Sequence, residues 1–352
     1  MVKHCLLVLA LAATHAAAAP RAIPHAAADK FQTWRTAAAA ALSAHTDANS
    51  LATAAALRYV GSANPKSGSS SKTDVPSKSD SSAKLDPSAK PDPSNKPDPS
   101  GLDLAARASE LDPQSASISW LHLQLCAKWP ACDIRDVATV MRWVDADNGA
   151  AWLQTLAAAQ RDRDTTEVDR ILADMAHGAR FDFYWNRIVV MMVDVLDAAH
   201  DELPGGYAAS DSARLSIASG IASGEIIPPF TALMEACRES NAAADRRDLC
   251  LKLSKTMQRG DTVIAQMAGF SIEKHLLAPD SKEARAIAER RHILEWRVAA
   301  AAKFDNPLLP WTKNARARAR LMHMRAMARE EDVCIAILRQ HNMALEPPEA
   351  HP

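Results

Sequence analysis

Apolar side chains recur at three- and four-residue intervals along most of the chain, which is the period of a helix with one buried face. Ile118, Leu121 and Leu125 form one such stripe, which Pro130 interrupts. Ile134, Val137, Met141 and Val144 form the next, with Asp133 placed to cap it. Gly149 to Gln160 carries Trp152, Leu153 and Leu156. Asp164, followed by Glu167, opens a stripe of Val168, Ile171, Leu172 and Met175 that Gly178 closes. Trp185, Ile188, Met192, Val195 and Ala199 make another, ended by Pro204-Gly205-Gly206. Nearer the N-terminus, Ala26 to Val60 reads as two Ala-rich helices, capped by Asp29 and by Asp47 or Asn49.

Beyond Gly206 the helical pattern continues. Phe230, Leu233, Met234 and Cys237 share a face, as do Cys250, Leu253 and Met257. Arg259-Gly260-Asp261 separates the latter from a helix over 262–277, and Asp280 or Ser281 begins one over 283–303. After Pro307 and Pro310 the pattern predicts a single helix over 313–340. Gly61 to Gly101 is different material. It is Ser, Lys, Asp and Pro and ends in three near-copies of a six-residue unit, from Lys84, Lys90 and Lys96. So little apolar surface cannot offset the entropy of ordering, and recurrent Pro makes an extended spacer. We read it as an insertion between two helices of one repeat.

Trp120, Trp152 and Trp185 stand at near-constant spacing, close to the ~33–34 residues of a tetratricopeptide unit. Leu111-Asp112-Pro113-Gln114 precedes the first, and Val144-Asp145-Ala146-Asp147-Asn148 precedes the second. Ala157-Ala158-Ala159 supplies small residues after Trp152, where helices pack closely. On these features, residues 101–200 resemble the tetratricopeptide and Sel1-like class of exported α-helical repeat proteins. The match departs from the family at Trp152-Leu153-Gln154-Thr155-Leu156-Ala157, which has Ala where Gly is usual. The resemblance implies an all-α, TPR-like repeat array (an α-solenoid) whose three tryptophans pack between repeats. It carries over no ligand-binding residues.

Composition narrows the picture. Gly is scarce at 11 residues in 352, and hydrophobic residues are 48% and charged residues 24%, so a helical globular chain is expected. A net charge of −1 supplies no field for nucleic acid or an anionic membrane. Lys3, the apolar run Cys5 to Ala13 and the small residues Ala16-Ala17-Ala18 read as a secretory leader, and no later run is long enough to span a bilayer. The chain then divides into a signal peptide (1–18), an N-terminal helical hairpin (19–60), the linker (61–101), the repeats (102–204), a C-terminal helical region (205–346) and a tail (347–352).

Export into the periplasm or beyond makes disulfides the natural reading of the remaining cysteines. Cys237 and Cys250 face each other across a helix–helix turn. Cys126 and Cys132 come within reach once Pro130 breaks the helix between them. Cys334 reads as a core residue.

Candidate chemistry is thin. Met322, His323, Met324 and Met327 fit soft copper ligation, although Leu321, Met324 and Ala328 also make an ordinary buried stripe. Glu289, His292 and Glu295 form a Glu-x-x-His pattern, but a di-metal bundle needs a second copy. Ser271 and Lys274 match Ser-x-x-Lys without the accompanying motifs, and Ser223 lies one place too late for a nucleophile elbow. The expected function is that of an exported, non-enzymatic scaffold for a protein or peptide partner, with no cofactor. The alternatives are an enzyme acting on envelope material and a periplasmic copper-binding protein.

Overall fold

The structure, a computed structural model, describes residues 25–59, 99–238, 244–304 and 314–348. The segment expected to be a leader, most of the expected linker and the last residues of the expected tail lie outside these. Among the described residues there are fifteen α-helices and no strand. They are α1 (His25–Leu42), α2 (Ala48–Tyr59), α3 (Pro99–Leu111), α4 (Ala116–Ala127), α5 (Ile134–Val144), α6 (Leu153–Arg161), α7 (Thr165–His177), α8 (Trp185–Ala198), α9 (Asp211–Glu225), α10 (Thr231–Ala236), α11 (Ala244–Met257), α12 (Val263–Leu276), α13 (Lys282–Phe304), α14 (Asn314–Ala326) and α15 (Glu330–Gln340). A short 3-10 turn, Gly149–Trp152, leads into α6.

Local chemistry explains many of the boundaries. The Asp47 carboxylate accepts from the Ser50 amide, Asp133 from Arg135 and Asp136, and Asp164 from Glu167. Thr262 and Ser281 cap α12 and α13 in the same way. Asp29 does not cap α1, which already begins at His25. The helices flanking the insertion, α2 and α3, pack against each other, and α3 starts at Pro99 rather than after Gly101. Pro suits that first turn, where an amide would have no partner.

From α1 to α7 most helices pack against the next in sequence, the order expected of stacked hairpins. Other pairs lie outside such a stack. Helix α2 also packs on α8 and α9, α7 on α11, and α14 on both α8 and α9. The result is one continuous core from Trp34 to Leu338, with a small satellite of Met267, Phe270, Ile287 and Leu294. Both disulfides are present, Cys126–Cys132 with Cα atoms 5.4 Å apart and Cys237–Cys250 at 5.6 Å. Cys334 is buried and outside either bond.

The tryptophans occupy three unlike settings. Trp120 is fully buried, stacks on Phe183 and donates its indole N–H to the Ile226 carbonyl at 3.0 Å. Trp185 is buried at the head of α8. Trp152 is half-buried against two arginines.

Several helix ends are fastened by residues remote in sequence. Tyr184, just before α8, has φ near +58°, a left-handed conformation unusual outside Gly, and it provides no side-chain cap. Asp261 caps instead, accepting from the Phe183 amide at 2.8 Å and the Trp185 amide at 3.2 Å. Glu330 accepts from Val263 at the start of α12, while its own amide donates to the Asp261 carbonyl. Asn186 donates to the carbonyls of Met327 and Ala328. These bonds accompany a break in the helix at 327–329. The single helix expected over 313–340 is therefore two, α14 and α15.

Candidate functional site

Helix α5 is the least covered element between α3 and α8. A helix turns about 100° per residue, so its side chains separate into distinct stripes. Ala138 and Met141 are buried, and Ile134 and Val137 are half-covered at the edge of the core. Val140 and Trp143 point the other way and are 50% and 70% exposed. Scattered single apolar residues on a surface are ordinary, but a valine and a tryptophan one turn apart form a ridge. Tryptophan is the residue most often found at the energetic centre of protein interfaces.

Between ridge and core runs a basic stripe, Arg135, Thr139 and Arg142, along the flank of α5 that faces α6 and α7. Arg135, Arg142, Trp152, Thr155, Ala159, Glu167 and Arg170 line a notch of about 120 Å³ there. The Arg142 guanidinium lies 4.2 Å over the Trp152 ring, and that of Arg170 lies 5.4 Å from it. Arg170 is fully engaged by Glu167 and Asp174, and Arg135 pairs with Asp162 at 3.3 Å. Arg142 has only the Thr139 hydroxyl, at 2.9 Å, and its buried Nη1 has no acceptor among the described residues. Burial, and then repulsion from Arg170, hold the Arg142 pKa below its usual value.

The deeper acidic groups do structural work. Asp145 accepts from the Tyr184 hydroxyl and pairs with Arg180. Asn148 holds the Asp182 backbone, donating to its carbonyl and accepting from its amide, and donates to the Tyr184 hydroxyl oxygen. Burial pushes the carboxyl pKa values of Asp145, Asp182, Asp261 and Glu330 upwards, most strongly at Asp261, where Asp182 adds repulsion. Among the described residues no three His, Cys, Asp or Glu side chains gather as metal ligands. Two larger hollows exist. The first, about 510 Å³, lies between α6–α7 and α10–α11; the second, about 340 Å³, lies between the α1–α2 turn and α8. In the first, Gln160, Asp164 and Arg246 are spent on Ala232, Glu167 and Asp169.

The sequence candidates do not converge. On α14, Met324 is buried, Met322 is 60% exposed, and His323 bonds to Gln340. Met327 is half-buried beyond the end of that helix. Glu289 and His292 are exposed on α13, where Glu295 pairs with Arg291. Ser271 donates to the Met267 carbonyl, and Lys274 is exposed. Ser223 sits inside α9, not on a turn after a strand. Sequence reasoning missed Val140, Arg142 and Trp143. The signal was available, since two large apolar residues lie off the Ile134–Val137–Met141 stripe.

Compared with known proteins, the chain matches no family model, no curated protein and no solved structure. No described helix is long and apolar enough to cross a membrane.

Proposed function

We propose that the chain is an exported, non-enzymatic helical scaffold that binds a protein or peptide through the outward face of α5. The observation that carries this reading is Trp143, 70% exposed beside Val140 and the Trp152 notch. Large aromatics at such exposure are the usual anchors of an interface core. The sequential packing of α4 through α7 supports reading this region as two TPR-like hairpins, with α5 as an outer helix. The two disulfides support an oxidising compartment, in line with the leader expected from the sequence.

The test is a photo-crosslinking residue at position 143 in the exported, disulfide-bonded protein, irradiated in cells. One discrete protein adduct is expected at 143 and none from the same residue at 289, on an exposed face of α13. The adduct must re-form when the two proteins are purified and mixed. No adduct at 143, or the same adducts from both positions, overturns the proposal.

A further inference from the structure

We infer that the notch and ridge of α5 together recognise an acidic peptide segment, one carboxylate seated on Arg142 and a neighbouring apolar side chain laid over Trp143. This rests on the binding role just proposed and names the partner's chemistry.

Size comes first. At about 120 Å³ the notch is well below the ~300–1,000 Å³ of small-ligand pockets. It admits a single side chain or a chain terminus and leaves a cofactor no room. Charge comes second. Two of the three notch arginines have their carboxylates: Asp162 for Arg135, Glu167 and Asp174 for Arg170. Arg142 is the third, and Glu167 and Asp174 act on it only from beyond ion-pair distance. Its guanidinium is pre-positioned over the Trp152 ring, 4.2 Å from the centroid, where a carboxylate can pair with it. A half-buried guanidinium without an ion pair is one that an incoming carboxylate can pair with. Trp143 follows Arg142 in sequence, about 100° round the helix, so both can touch one ligand chain. Asp136 heads the outer stripe and sets polarity. An acidic ligand keeps its carboxylate at the Arg142 end and its apolar part along Trp143 and Val140.

The experiment uses full-length, disulfide-bonded protein labelled with 5-fluorotryptophan and observed by fluorine NMR. The probes are two acetylated ten-residue peptides with the same Leu and Phe residues, one carrying Asp and Glu, the other Asn and Gln. The acidic peptide is expected to shift the Trp143 and Trp152 resonances, assigned from Trp143→Phe and Trp152→Phe. Binding should weaken roughly ten- to hundred-fold in Arg142→Gln, as for a lost charge-assisted bond. It should also weaken in Trp143→Ala, a change at a largely exposed position that leaves the fold intact, and with rising salt.

Equal binding of the amide peptide overturns the inference, as does an unchanged affinity in Arg142→Gln. A ten-residue oligothymidylate that shifts the same resonances in place of the peptide overturns it too. If neither peptide binds while the crosslink at 143 persists, acidic recognition is refuted and the binding role stands. A crosslink to the chain's own linker makes that linker the occupant and refutes a separate acidic partner.

Discussion

Replacing Trp120, Trp185, Trp152 and Trp143 by alanine, one at a time, weighs the regular tryptophan spacing against the packing that the structure describes. Trp120 is completely enclosed, stacked on Phe183 and bonded to Ile226. Emptying such a site costs about 3–5 kcal/mol, from lost transfer energy and the cavity left behind. Trp185, 8% exposed, should cost about 3 kcal/mol. Trp152 loses half-covered packing and two arginine contacts, together about 2 kcal/mol. Trp143→Ala should stay within about 0.5 kcal/mol of the parent. Against a total stability of roughly 5–15 kcal/mol, Trp120→Ala alone removes a large part of the reserve.

Urea unfolding followed by far-UV circular dichroism reads these differences as midpoint shifts at constant slope. With a slope of about 3 kcal/mol/M, a 4 kcal/mol loss moves the midpoint by roughly 1.3 M. Equivalent repeat positions would give three equal losses at 120, 152 and 185. Equal losses, or a Trp152 loss as large as that of Trp120, would refute the distinction drawn between buried hub and surface platform.

Removing the Cys237–Cys250 bond by a double Cys→Ser change should cost about 3 kcal/mol from loop entropy, and the shorter Cys126–Cys132 loop about 2.4 kcal/mol, both read from thermal melts. Gly260→Ala places a Cβ 2.6 Å from the Phe181 carbonyl oxygen and 3.0 Å from that of Met257, so about 1–3 kcal/mol of strain should appear as a lowered melting temperature. Acid acts through opposing groups. Burial lowers the His122 pKa to about 4, so its neutral form is the folded one; its contribution is complete above 6.5 and about 3 kcal/mol is lost as pH falls from 6.5 towards 4. Asp145, Asp182, Asp261 and Glu330 have raised values, so they restore stability as pH falls towards the ordinary carboxylate range. Melting curves across pH 4–8 should therefore show His122→Gln gaining at the acid end relative to the parent, and Asp261→Asn losing the acid-side gain; unchanged profiles would contradict both assignments.

Much of this architecture was legible in the chain. The stripes through Ile118, Val168 and Ile188 mark faces that are buried, and Asp47, Asp133 and Asp164 cap where short-range rules place them. Both cysteine pairs could be read because a turn or a proline brings the members of each together. The break at 327–329 could not. Nothing local interrupts that segment, and it opens because Asn186 takes two of its carbonyls while Glu330 caps α12, over a hundred and about seventy residues away. Trp152 misled for a related reason. Spacing along the chain records where a residue falls in a hairpin, not which neighbours fold over it, and only Trp120 receives the Phe183 and Ile226 cover.

The candidate site depends on how α5 is held. With only Ala138 and Met141 fully buried, the helix has a small apolar anchor of its own. Its ends carry the fastening. The Cys126–Cys132 bond and the Asp133 cap stand at its start, and at its end the buried Asp145 carboxylate takes both Tyr184 and Arg180. A helix pinned at both ends can leave its outer face bare and still stay in place. Binding by a pre-ordered face loses less conformational entropy than binding by a loose one, so the same Trp143 contact yields more affinity. On the proposed binding role, loosening a fastening weakens recognition without touching the ridge. Reduction of Cys126–Cys132 should lower partner affinity while Trp143 itself remains as exposed as before.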